Sequence, residues 1–144
     1  MVLAFLAQQS LRPVCAQLPV ACRHRRVATA IDIVAIDAED RIVVIELKCG
    51  HSRATRNVAA RGAARGAATL KAPFKKALDT HLHRHFAQLA LSLAMLRTSL
   101  ADASKSDLTD ICGVRGVLLY ADDVACDLYS LPQWWAKRAE RWVA

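Results

Sequence analysis

The segment "VATAIDIVAIDAEDRIVVIELK", residues 27–48, constrains the fold most. Two β-branched, apolar runs flank the short polar stretch "AED", the pattern of a β-hairpin. Each run nevertheless carries charge. Asp32 interrupts the first, and Glu46 and Lys48 stand two apart in the second. Side chains two apart on a strand point to the same face. A three-residue loop, Ala38 to Asp40, puts Asp37 opposite Arg41 and, counted along the same register, Asp32 opposite Glu46. Cross-strand partners have Cβ atoms about 4.5–5.5 Å apart. Val34, Ile36, Ile42 and Val44 share that face, so another layer should cover it. Two carboxylates and one ammonium are thereby expected on one largely apolar patch. Paired like charges need a cation between them, and a hard divalent ion with oxygen ligands fits, with the Leu47 backbone carbonyl as a further oxygen.

The rest of the chain supplies layers for such a hairpin. "VLAFLAQQ" reads as a short helix ended before Pro13, and "LPVACRHRR" as an extended segment with a polar end. Leu82, Phe86, Leu89, Leu93, Leu96 and Leu100 step by four and three, an apolar helical stripe, with Asp79 or Thr80 placed to cap it. "VRGVLLYADD" and "ACDLYSL" read as strands, with Asp122 and Asp123 ending the first. "SLPQWWAKRAERW" reads as a last helix capped by Ser130, with Pro132 in its first turn. Trp134, Trp135 and Trp142 are expected in core or interface packing. The order strand, strand, helix, strand, strand, helix predicts one α/β domain over residues 1–144, with a central mixed β-sheet flanked by helices. Between the hairpin and the long helix, "CGHSRATRNVAARGAARGAATLKAPFKK" reads as a long loop with some helical turns, rich in basic residues.

Composition bears on partners. The 144 residues carry a formal charge of +7, which favours a polyanion: nucleic acid first, an anionic membrane surface second. No apolar run reaches the ~20 residues that span a bilayer. The five cysteines are odd in number and form no Cys-x-x-Cys pair, which points to an intracellular, reducing compartment rather than a disulfide framework. Cytoplasm or nucleus fits, a viral origin is open, and the acid-free, Arg-bearing residues 1–31 leave a mitochondrial address open. The pairs Cys22/His24 and Cys49/His51 match no common structural zinc spacing.

An acid in one strand, then Glu46-Leu47-Lys48 in the next, then a helix carrying Gln88 before Leu89, resembles the PD-(D/E)XK nuclease superfamily. The resemblance covers residues 27–100 well and 114–142 loosely. It implies a restriction-endonuclease-like core and a Mg²⁺- or Mn²⁺-dependent deoxyribonuclease, with RNA left open as a substrate. Asp32 and Glu46 would bind the ion and lower the pKa of a bound water. Lys48 would orient that water and stabilise developing charge, and Gln88 would position water or substrate. Arg25, Arg26, Arg53, Arg56, Arg61, Arg65 and Lys71, with His81, Arg84 and His85 of the long helix, would hold the nucleic-acid backbone. Many members place another acid on a helix before the first metal-binding strand, and residues 1–31 here contain none. That departure keeps a second reading open: a nuclease-like module that binds nucleic acid without cutting it, or a subunit of a larger assembly. Self-association is left open as well.

Overall fold

The computed structural model describes residues 1–50, 68–103 and 113–144. Among them the chain forms an α/β fold with a five-stranded mixed sheet and three helices. These are α1 (Val2–Gln8), β1 (Arg12–Cys22), β2 (Val27–Ile36), β3 (Ile42–Cys49), α2 (His81–Ala103), β4 (Arg115–Ala121), β5 (Cys126–Ser130) and α3 (Gln133–Val143). The strands lie in sequence order across the sheet, and β3 and β4 are its one parallel pair. Parallel neighbours need a crossover, and the segment containing α2 supplies it. No helix among the described residues is long and apolar enough to cross a membrane.

Alternation along the strands builds two cores. Val34, Val44, Leu118 and Tyr120 face Phe86, Leu89 and Leu93 of α2 and Trp135 and Ala139 of α3. Ala35, Val43, Ile45, Val117 and Leu119 face the other way, where Leu6 of α1 and Leu11 join them. The charged face of the hairpin is therefore covered, by α2 and α3, as its apolar neighbours require. The α2 stripe is wider than the predicted one, because Ala90, Ala94 and Met95 are buried too. A helix contacting both the sheet and α3 needs two apolar sides.

The hairpin register agrees with the counted one: Ile36 pairs with Ile42, Val34 with Val44 and Ile33 with Ile45. Its closure is a charge cluster on Asp37. Oδ1 accepts the backbone N–H groups of Glu39 (3.1 Å) and Arg41 (3.0 Å), while Oδ2 accepts Arg41 Nε (2.9 Å) and Arg115 Nε (3.2 Å). Desolvation pushes this carboxyl up, but the Arg41 N–H, the Arg41 and Arg115 guanidinium groups and the Glu39 N–H outweigh it and hold the pKa at about 2. A depressed folded value means stability that is full above 3.8 and lost as the pH falls toward about 2. Asp37→Asn therefore lowers the melting temperature at neutral pH, and its gap to the parent closes as the pH drops below 3.8. Melts across that range check this, and a gap independent of pH would contradict it.

Two readings of local structure need correction. The extended segment of residues 18–26 is only the end of β1, which starts at Arg12, and residues 23–26 form a turn. Pro13 and Pro19 hide the strand in the sequence, yet β1 is an edge strand, where a missing N–H is tolerated. Ser130 does not cap α3. It is still paired with Val117 in the sheet, and Pro132 takes the N-cap position without a side-chain cap bond. At the other long helix Thr80 is the cap, its Oγ1 accepting His83 N–H at 3.1 Å.

Candidate functional site

The carboxylates meet where the sheet opens. The β2–β3 ladder runs to Ile33–Ile45, and β3 continues to Cys49 paired with β4. Beyond Ile45 the β2-facing edge of β3 turns to a side chain. Leu47 donates its backbone N–H to Asp32 Oδ2 at 2.9 Å. In an extended strand one residue's N–H and C=O point the same way, so the Leu47 carbonyl opens toward Asp32 as well. The β1–β2 register shifts between Pro13 and Cys15 and then holds past this level, but the ladder skips the Gln17/Asp32 position. Ala16 pairs with Ile33 and Leu18 with Ile31, while Gln17 between them has φ 53°. Ile31 packs with the α2-side core and Ile33 against the other, so the alternation slips by one at Asp32. A slip of this kind re-aims a side chain. Gln17 Nε2 contacts Asp32 Oδ1 at 3.3 Å, a partner that no sequence pattern flagged.

Glu46 is 1% exposed, so its charge must be met locally. Lys48 Nζ donates to Glu46 Oε1 at 2.5 Å and to Gln88 Oε1 of α2 at 3.1 Å. Desolvation raises the Glu46 pKa, Lys48 pulls it back, and the neighbouring Asp32 carboxylate pushes it up again, so the net direction is up. The ammonium thus bridges one carboxylate, Glu46, and one amide, Gln88. The structure brings Asp32, Glu46, Leu47, Lys48 and Gln88 together at the C-terminal ends of the parallel strands. Open α/β sheets receive ligands at such ends. Gly50, just past β3, has φ 72°, a conformation that favours glycine.

The donor set is hard oxygen: two carboxylates, a carbonyl and amide side chains. Mg²⁺ and Mn²⁺ prefer such oxygens, and Mg²⁺ sites commonly use only one or two carboxylates. Among the described residues no three of His, Cys, Asp and Glu cluster as a metal-binding group. A carboxylate pair with excess negative charge still fits a divalent ion. Gln17→Glu would place a third acid beside Asp32. It is expected to tighten Mn²⁺ binding by about tenfold through added ligand charge. Isothermal titration with Mn²⁺ reads this directly, and unchanged or weaker binding would contradict it.

The other predicted contacts fall in three groups. His85, one turn before Gln88, has Nδ1 2.7 Å from the Tyr120 hydroxyl. Tyr120 pairs with Lys48 across β3 and β4, and the sequence did not single it out. His81 lies in the first turn of α2, while Arg84 is bound to Asp79, with Nε 2.6 Å from Oδ1. Arg84 lowers the Asp79 pKa, so part of its charge is already spent within the protein. Arg25 and Arg26 lie in the β1–β2 turn and Lys71 is exposed ahead of α2. Arg53, Arg56, Arg61, Arg65 and His51 lie outside the described residues. Cys22 Sγ lies 3.3 Å from His24 Nδ1.

No family model matches the chain, and no curated protein matches it. Among solved structures, a chain described as "Crystal structure of SSO0001" is similar at 14% identity and a TM-score of 0.39, over 96% of this chain. The present chain spans only 53% of that one. At that distance the likeness adds nothing to the reading of the site.

Proposed function

We propose that this protein is a Mg²⁺- or Mn²⁺-dependent nuclease with a restriction-endonuclease-like core, acting on DNA through Asp32, Glu46 and Lys48. One observation carries the reading. A buried glutamate and a second carboxylate are drawn together at a break in the sheet, with one lysine between a carboxylate and a glutamine. A purely structural ion pair does not need the second acid, whose proximity costs stability. The net charge of +7 supports a polyanionic substrate.

Asp32, Glu46 and the Leu47 carbonyl would hold the ion. When bound, it supplies Lewis-acid polarisation and a more acidic water. The protein's own residues do the rest. The Leu47 N–H and Gln17 orient the Asp32 carboxylate. Glu46 fixes the Lys48 ammonium at the pocket, and Gln88 gives it a second acceptor from the covering helix. Held in this way, Lys48 presents positive charge where the pentavalent phosphorus would carry its extra negative charge. The apolar layer of α2 restricts water behind the site and strengthens that interaction.

Incubating pure protein with single-stranded, double-stranded and branched DNA, with Mg²⁺, with Mn²⁺ and with EDTA, tests the proposal. Cleavage of at least one substrate only with the ions is the expected result. Intact DNA in every reaction would overturn it. Salt-sensitive DNA binding without cleavage would favour the nuclease-like binding module, for which the acid-free residues 1–31 speak.

A further inference from the structure

A second feature lies away from the carboxylates. The segment before α2 and the outer side of α3 enclose a groove of about 320 Å³, lined by Ala72, Pro73, Lys75, Arg138, Arg141 and Trp142. Among the described residues, every charged residue lining it is basic. Arg138 Nε donates to the Pro73 carbonyl at 2.9 Å, which pins the guanidinium at the wall. Trp134, Arg138 and Arg141 stand at i, i+4 and i+7 on α3, so they share one stripe. Trp134 is 42% exposed although two aromatic neighbours, Phe74 and Trp135, flank it at 6.3 and 5.1 Å. Of the three tryptophans expected in core or interface packing, Trp135 is buried and Trp142 packs against the core, while Trp134 packs on Phe74 and Trp135 and keeps an open face. Arg25 from the β1–β2 turn lies over the Trp142 ring at 5.2 Å and donates to the Trp142 carbonyl at 2.8 Å. The acid of α3, Glu140, faces a different cavity, where it pairs with Arg97 and stands beside Lys137. The helix thus keeps its carboxylate out of the lining of the basic groove.

We infer that this groove binds a single strand of nucleic acid, with phosphates on Lys75, Arg138 and Arg141 and a base stacked on Trp134. A lining whose described charges are all basic matches a phosphodiester backbone. An indole left open beside it suits an unstacked base, and the bases of a duplex cannot reach such a platform. The placement also connects with the carboxylate pair. The β1–β2 turn that carries Arg25 ends at Arg26, six residues from Asp32, or about 20 Å at the rise of a strand. A strand held at the groove can therefore reach the carboxylates within a few nucleotides. This connection rests on the nuclease reading, whereas binding at the groove does not.

The test uses the full chain in EDTA, so that binding is read without cleavage. Affinity for a fluorescein-labelled oligothymidine is measured by anisotropy across a salt series, with circular dichroism to check each variant's fold. Trp134→Ala is expected to weaken binding about tenfold, the loss of one stacked base. The double variant Lys75→Glu/Arg141→Glu is expected to weaken it further and to flatten the log–log salt slope by about 1.4. Lys137→Glu, on the other cavity, is the control and should change affinity less than twofold. Unchanged binding in the first two variants overturns the inference. Equal weakening by Lys137→Glu overturns it too, because net charge alone would then explain the affinity. Binding to phosphatidylserine vesicles in place of the oligonucleotide, lost in the same variants, would overturn it in favour of a membrane surface. If groove variants lose binding while the parent cuts no DNA, the carboxylate reading fails alone. If the parent cuts and the groove variants bind normally, the groove fails alone.

Discussion

Glu46→Gln is expected to lower ion-dependent DNA cleavage by roughly 10²–10³ or more while leaving the protein at least as stable as the parent. The two effects have opposite signs for one reason. The glutamate sits where desolvation and the Asp32 carboxylate both work against its ionisation, with Lys48 pulling the other way. Its folded pKa lies above the ordinary 4.5, so the folded form keeps its proton to higher pH than the unfolded form does. The site's contribution to stability is most favourable below 4.5 and declines as the pH rises through the raised folded value. A neutral amide of the same shape escapes that cost and still offers Lys48 an oxygen. It cannot supply the second carboxylate of the proposed ion site. Cleavage assays and urea denaturation of one preparation measure both effects. A variant that is both inactive and severely destabilised would point to a structural ion pair.

Lys48→Met tests the same site from its other end, and stability falls instead. Methionine keeps most of the apolar stem but removes the ammonium 2.5 Å from Glu46. Leaving one member of a buried pair charged and alone costs about 3–5 kcal/mol. Taking up a proton is the alternative. For a carboxyl of ordinary pKa 4.5 that costs about 3 kcal/mol at pH 7, and less here, because the parent already holds Glu46 above that value. The cheaper route sets the outcome, so the loss is at most about 3 kcal/mol at pH 7 and shrinks as the pH falls toward the raised folded value. Denaturant titrations at several pH values follow it. A loss under 1 kcal/mol at neutral pH, or one that does not vary with pH, would mean that water already screens Glu46.

The part of the site written in local pattern was legible in the sequence. Alternation fixed the two faces of the hairpin, and the pair Asp37 and Arg41 marked its closure, so the count that sets Asp32 across from Glu46 agrees with the ladder up to Ile33–Ile45. What the sequence could not carry is what happens past that point. The slip at Asp32 depends on the φ of Gln17 and on the path of a neighbouring edge strand, and β1 was masked by two prolines that an edge tolerates. Tyr120 under His85 and the open face of Trp134 depend on how α2 and α3 settle on the sheet. Helical spacing gives a residue's side of the helix but not the depth at which it lies.

Divalent-ion capture by Asp32 and Glu46 is the claim on which the rest depends. A crystal soaked in Mn²⁺ and recorded for anomalous scattering tests it most directly. The account predicts a peak between the two carboxylates, about 2.1 Å from an oxygen of each, and its disappearance in Glu46→Gln. Saturating Mn²⁺ with no peak there would contradict it.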